Sequence, residues 1–389
     1  MPAADRPVSA RNLGLDLLRL AAVVLVIGCH LSDSAGSSVW LLGAWRSVGW
    51  VGVDLFFVLS GFLVSGLLFR EHRQSGRVSV GNFLIRRGLK IYPAFWVLIA
   101  YSFATRLYHG IPIPKKAFVC ELLFVQNYGW GLWAHTWSLA VEEHFYLLLA
   151  ALVWWLARRR AEPFARLPLI FGVVAAACLG LRVLNTLRHP VYTFEGFLTP
   201  THLRIDSLFL GVLLSYLVHY RGLLERLRWF RPRWRVAAGL PLLLVPVYFF
   251  SREADPWVNV LGYNVADLGS ALLVLGGAEL ASSPSRLLRG LGTFGAVSYS
   301  VYLWHVPVEL WSYRFWPAHR VDPMAYTGYM VTYVLGSLLV GYVMARLVEI
   351  PILKLRDRWF PSRRAGRVPT PVMAAPDSAT AGMLPPGGA

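Results

Sequence analysis

Cysteine is scarce in this chain, acidic residues are few, and no segment reads as a linker. The three cysteines, Cys29, Cys120 and Cys178, are an odd number. They fit no metal-ligand spacing and no disulfide framework, so no metal is expected. Two of them lie in apolar runs, where a free cysteine acts as small apolar filler. The body has no Pro/Gly-rich break and no repeat at a fixed period, which argues against a multidomain chain or a solenoid. Asp and Glu number 21 against 38 Lys and Arg, a formal charge of +17. Such an excess would suit a nucleic-acid binder, but a composition 56% hydrophobic is too apolar for an ordinary soluble domain.

What is abundant is long apolar sequence. About ten runs approach the ~20 residues that a bilayer requires: 13–32, 50–69, 83–107, 137–156, 167–184, 203–220, 235–250, 259–280, 292–313 and 326–348. The expected fold is therefore all-α, a polytopic bundle of about ten transmembrane helices. A short N-terminus (1–12) precedes one membrane domain (13–360), and a Pro/Ala/Gly-rich tail (361–389) is expected to be disordered. Val26 to Cys29 resembles a lipoprotein cleavage site, but Asp16 and Arg19 interrupt the apolar region such a signal needs, so the first span is expected to stay.

The positive charge is not spread evenly. It gathers in every second connection, as in Arg70, Arg73 and Arg77, again in Arg221, Arg226 and Arg228, and in Arg286 and Arg289. The intervening connections are poorer. By the positive-inside rule both termini lie in the cytoplasm and the span count is even. The charge is thus mainly a topology signal for a multi-pass protein of the cell (inner or cytoplasmic) membrane. Its expected partner is the lipid bilayer, and no nucleic acid is expected.

That topology turns the polar residues inside the spans into a map. Charged groups in a bilayer are costly and mark sites or pathways. Arg19 and His30 are eleven residues apart in one apolar run. On a helix this is ~20° past three full turns, so both sit on one face about 16 Å apart along the axis. His30 is at the outer end. Asp54, Trp137, Ser138, Glu142, Glu143, Arg204 and Asp206 start or lie in the outer halves of their spans. A histidine among carboxylates is the composition of a general acid/base site. At the inner end, Arg19 shares its depth with Arg86, Arg87 and Lys90, and clustered guanidinium groups suit phosphate. His202 and Asp206 form an H-x3-D string without the Gly that usually follows it, and it is taken as coincidence.

Seven strings, in order and on the expected spans, complete the pattern: GLDLLRLAAVVLVIGCH (14–30), GVDLFFVLSGFL (52–63), RRGLKIYP (86–93), TWSLAVEEHFYLL (136–148), RIDSLFLG (204–211), VSYSVYLWHVP (297–307) and VEIP (348–351). Over nearly the whole chain this resembles the acyltransferase-3 family of integral membrane O-acyltransferases. The resemblance implies transfer of an acyl group, commonly acetyl, from cytoplasmic acyl-CoA as co-substrate to a hydroxyl. Implied acceptors are carbohydrates of surface polysaccharides or their lipid-linked precursors, or a macrolide or other secondary metabolite. The family's Arg-x10-His motif maps to Arg19 and His30. Its arginine motif maps to Arg87 and Lys90, where Lys keeps the charge but loses the bidentate fork. The Trp-Ser-Leu-x-x-Glu-Glu motif is intact at 137–143. The hydrolase-like extension of some members is not expected here, so a second acyl-handling step would fall to a partner protein.

The expected mechanism docks acetyl-CoA on Arg19, Arg86, Arg87 and Lys90. His30 serves as base or acyl carrier, held by Asp54, Glu142 or Glu143. Ser138, Tyr302 or His305 supplies donors to the tetrahedral oxyanion. The rival of another class is a transporter for an anionic or sugar-like solute, which intramembrane His, Glu and Arg also suit. The lack of repeat symmetry argues against it.

Overall fold

A computed structural model describes residues 12–32, 40–158, 162–251, 253–280 and 285–361. The expected tail from 362 onward and the first eleven residues of the N-terminus lie outside the described residues. Among these residues the chain is all-α, with α1 (Leu13–Cys29), α2 (Trp40–Val48), α3 (Val51–Ser75), α4 (Val80–Tyr108), α5 (Lys115–Leu122), α6 (Trp137–Ala157), α7 (Leu167–Arg188) and α8 (Thr201–Arg221). There follow α9 (Leu223–Arg226), α10 (Pro232–Phe249), α11 (Tyr263–Glu279), α12 (Arg286–Ala296), α13 (Ser298–Phe315), α14 (Pro323–Met344) and α15 (Ile350–Trp359).

Each of the ten expected spans is helical. One is divided: the run 292–313 breaks at Val297 into α12 and α13. Among the described residues, six helical segments are long and apolar enough to cross a membrane: Val51–Ser75, Ala134–Ala157, Leu167–Arg188, Thr201–Arg221, Val258–Glu279 and Pro323–Trp359. The helices outside that set include α1 and α4, which carry candidate site residues. α1 has 17 residues and carries Asp16 and Arg19, and α4 carries Arg86, Arg87 and Lys90.

Two local features place the site. Asn12 caps α1, its side-chain oxygen accepting from the Leu15 amide at 3.1 Å, which satisfies one of the orphan donors of the first turn. The helix then runs unbroken to His30, the capping residue at its other end, so the spacing of Arg19 and His30 is that of a regular helix. The second feature is a close crossing of α3 and α8. A Cβ on Gly61 would lie 2.0 Å from the Leu208 carbonyl oxygen, and one on Gly211 would lie 2.3 Å from that of Val58. Small residues let helix backbones approach where side chains would hold them apart, and this approach sets Asp54 of α3 opposite Arg204 of α8.

Candidate active site

A cleft of about 740 Å³, open mouth included, lies among α1, α3, α4, α6 and α13. Arg19, Arg87 and Lys90 line it from α1 and α4, with Glu142 and Tyr146 from α6. Lys90 is within electrostatic reach of Arg19 and Arg87, and of the carboxylates of Glu349 and Glu142. Glu349 lies in an irregular turn before α15 and accepts a hydrogen bond from Ser300 at 2.7 Å. Arg87 places its guanidinium 5.2 Å from the Tyr146 ring centre. Tyr146 in turn donates to Glu142 at 2.8 Å and bonds Ser60 at 2.8 Å.

Arg86 does not line this cleft. Its guanidinium turns to α15, pairing with Asp357 at 2.8 Å and donating to the Phe360 carbonyl. The expected four-cation dock thus has three members on the cleft and one at the terminal helix. The reason is the helical step: Arg86 and Arg87 are adjacent, so they point about 100° apart.

Ser138 and Tyr302 also line the cleft. The Tyr302 hydroxyl donates to the His135 carbonyl at 2.7 Å and is 2.6 Å from Ser138 Oγ. The Tyr302 ring touches two members of a cluster of three imidazoles, His135 and His305. The ring centres of His30 and His305 are 4.8 Å apart, and those of His135 and His305 are 4.9 Å apart. Each ring has one nitrogen on a backbone carbonyl: His30 Nδ1 on Val26 at 3.0 Å, His135 Nε2 on Leu303 at 3.2 Å, and His305 Nδ1 on Tyr302 at 2.5 Å. A carbonyl only accepts, so those nitrogens carry the protons. The second nitrogen of each neutral ring is then a lone-pair base. His135 Nδ1 and His305 Nε2 are buried without a partner among the described residues. His30 is half-buried, and the bond of its ring runs from Nδ1 to Val26.

The carboxylates expected around His30 are placed elsewhere. Asp54 pairs with Arg204, both fully buried. Arg204 lies 3.9 Å from the Tyr263 ring centre and 5.8 Å from that of Trp137. Asp206 pairs with Arg182 at 2.6 Å, and Ser207 donates to Asp267 at 2.9 Å. These residues of α3, α7, α8 and α11 form one ionic hub. Glu142 serves Tyr146, and Glu143 accepts from Tyr92 of α4 at 2.9 Å. The structure therefore joins His30 to histidines rather than to acids. His305 meets His30, but in its neutral form it offers a lone pair, not the oxyanion donor expected from sequence. His135 went unnoticed in the sequence. The signal was its place two residues before Trp137, at the same end of the same span as residues that were singled out. No group of three or more His, Cys, Asp or Glu side chains among the described residues is arranged to hold a metal ion.

Comparison with known proteins gives this arrangement a family. The family model described as an acyltransferase domain matches residues 12–346. The chain belongs to this acyltransferase family. With six helices among the described residues long and apolar enough to span a bilayer, it is a multi-pass membrane protein. It is similar to the O-acetyltransferase OatA of Staphylococcus aureus strain NCTC 8325 / PS 47, at 25% identity over 380 residues. The OatA protein of Staphylococcus aureus strain COL matches equally. The match covers 90% of this chain but 58% of OatA, so the chain spans little more than half the length of these relatives. No solved structure matches it.

Proposed function

We propose that the protein is a membrane O-acetyltransferase that moves an acetyl group from cytoplasmic acetyl-CoA to a hydroxyl of a surface carbohydrate or its lipid-linked precursor. The observation that carries this reading is the cleft itself. It joins a cationic end at Arg19, Arg87 and Lys90 to a hydroxyl pair, Ser138 and Tyr302, and the Tyr302 ring touches His305, which in turn touches His30. Arg19 and His30 lie on one helix about 16 Å apart along its axis, so the donor must be long, with a phosphorylated head and a thioester at the tip of its arm. The relatives named as O-acetyltransferases support the acetyl group and the oxygen acceptor.

The reaction then runs as follows. The phosphates settle on Arg19, Arg87 and Lys90, and the thioester reaches Ser138 and Tyr302. A hydroxyl is a poor nucleophile at neutral pH and needs a base. Nε2 of His30 takes the acceptor's proton while the acceptor oxygen bonds the thioester carbon. The tetrahedral oxyanion is met by the hydroxyls of Ser138 and Tyr302, which exchange their bonds to Tyr302 and His135 for it. The C–S bond breaks, and the departing thiolate takes the proton back from His30. Ester and free CoA result.

The direct test is transfer of labelled acetyl from acetyl-CoA by membranes holding wild-type protein or His30→Ala. Wild-type membranes should label an acceptor, with glycans and secreted metabolites both analysed by mass spectrometry. The variant should lose about 10²- to 10⁴-fold in rate, the range of a positioned acid/base, while still inserting and folding. Near-normal transfer by the variant would overturn the role given to His30.

A further inference from the structure

Glu142 comes four residues after Ser138 in the intact Trp-Ser-Leu-x-x-Glu-Glu string, and it bonds Tyr146 rather than His30. Ser138, Glu142 and Tyr146 are at i, i+4 and i+8 on α6, and all three line the cleft, as residues on one helix face can. They mark out its length. Ser138 belongs to the hydroxyl pair, and the Tyr146 ring is 5.2 Å from the Arg87 guanidinium. Glu142 lies between them, about 6 Å from each along the axis at ~1.5 Å per residue. Leu59, Leu63 and Val64 of α3 give the same cleft an apolar wall. Within it one chain of hydrogen bonds runs in a single direction. The Tyr146 hydroxyl donates to Glu142 at 2.8 Å, so Ser60 donates to Tyr146, also at 2.8 Å. The chain ends on a half-buried carboxylate. An ionised carboxylate only accepts, at about four lone-pair positions, so a ligand in the middle of the cleft meets an acceptor.

An acyl-CoA lying in the cleft presents acceptors at both ends, phosphate oxygens at one and the thioester carbonyl at the other. Its N–H groups between those ends are the amides of the arm. The amide nitrogen nearest the sulfur is four bonds from the reacting carbonyl carbon, about 5–6 Å when extended. That matches the ~6 Å step from Ser138 to Glu142. We propose that Glu142 is a donor-specificity residue: its carboxylate accepts a hydrogen bond from the arm amide next to the sulfur and so holds the thioester at the level of Ser138 and Tyr302. This assignment rests on the proposed reading of acyl-CoA as the donor. A hydrogen bond to a charged acceptor is roughly twice as strong as a neutral one, and a thioester lacking that N–H would leave a desolvated carboxylate without its partner. The cleft thereby favours thioesters with an amide-bearing arm over those without. Arg87 and Lys90 are within electrostatic reach of Glu142, so the rival role for it is simple counter-charge to the cationic end.

Two donors and two variants separate these roles. The donors are labelled acetyl-CoA and an analogue with an ester oxygen in place of that one amide N–H, alike in length and in phosphate charge. Initial rates of acetyl transfer by membranes holding each protein give kcat/KM. Wild type should favour the amide donor by about 10- to 100-fold, the worth of one charge-assisted hydrogen bond. Glu142→Ala should narrow that preference to about threefold or less, because the analogue has nothing further to lose. Glu142→Gln, which keeps an accepting oxygen, should retain part of it. If Glu142→Ala slows both donors equally and keeps the wild-type preference, Glu142 is only a counter-charge to Arg87 and Lys90 and the proposal falls. Should the variants fail to fold, the wild-type comparison decides: preference for the amide donor supports the contact, and equal use of both donors overturns it. Wild-type protein that transfers acetyl from neither donor would overturn the acyltransferase reading itself, a result distinct from any ratio between the two.

Discussion

Two polar centres are buried in this helical bundle, and they are built on opposite principles. The hub of Asp54, Arg204, Arg182 and Asp206 sets formal charges against each other, every one nearly or fully buried. The histidine cluster contains no ion pair among the described residues. Its members are neutral bases, each oriented by one backbone carbonyl, and the second nitrogens of His135 and His305 are uncommitted within the described residues. A compensated charge is locked, since removing either partner strands the other in a low dielectric. A neutral base can gain and lose a proton without stranding a partner. Charge density alone is therefore a poor guide to where the chemistry happens here.

The largest expected effect tests the hub. Arg204→Leu should destabilise the protein by about 3–5 kcal/mol, because Asp54 would remain buried without its cation. The double change Asp54→Leu with Arg204→Leu should recover much of that loss. Detergent melting curves check both. If Arg204→Leu melted like wild type and lost only turnover, the hub would be a catalytic device and the contrast would fail. His30→Ala should give the reverse outcome, a folded protein without transfer.

The same contrast divides two neighbours on α4. Arg87 lines the cleft with no ion pair at bonding distance among the described residues, whereas Arg86 is occupied by Asp357 and the Phe360 carbonyl. A charge-assisted hydrogen bond contributes about 1.5–3 kcal/mol, or roughly 10- to 100-fold in binding. Arg87→Ala should raise KM for acetyl-CoA by about that factor. Arg86→Ala should change it less than about threefold, since its partner is an exposed carboxylate and such pairs are weak. Equal effects would return Arg86 to the donor dock.

The sequence made some of this legible and not the rest, for physical reasons. Helix positions followed from apolar runs of bilayer length, and the depth relation of Arg19 to His30 followed from the regularity of one helix. Both are local properties. The partner of Asp54 was not legible, because Arg204 is 150 residues away and the close crossing at Gly61 and Gly211 exists only in three dimensions. Asp54 and Glu142 read as ligands of His30 because they share its depth, but depth fixes one coordinate and leaves the direction of each helix face open. His135 was missed for a related reason. It precedes α6 in a single tight turn, so apolar periodicity has nothing to say about it.

The smallest effect concerns how that turn is held. Glu121 of α5 accepts from the Leu132 amide at 2.8 Å and from the Thr136 hydroxyl at 2.9 Å, fixing the segment that carries His135. It is neither ion-paired like the hub nor a free base like the cluster. Burial raises its carboxyl from 4.5 to about 7, only partly offset by these hydrogen bonds. The folded state thus binds this proton more tightly than the unfolded one. Between pH 4.5 and about 7 the native protein carries the extra proton, so stability falls as pH rises through that window. Glu121→Gln keeps the accepting oxygen and cannot ionise. Its melting temperature should vary less with pH than that of wild type between pH 5 and 8, and should equal or exceed wild type at the alkaline end. An unchanged slope would assign the titration to another group. A variant that melted lower at every pH would mean that Glu121 holds the His135 turn as a carboxylate, closer in kind to the hub than to the cluster.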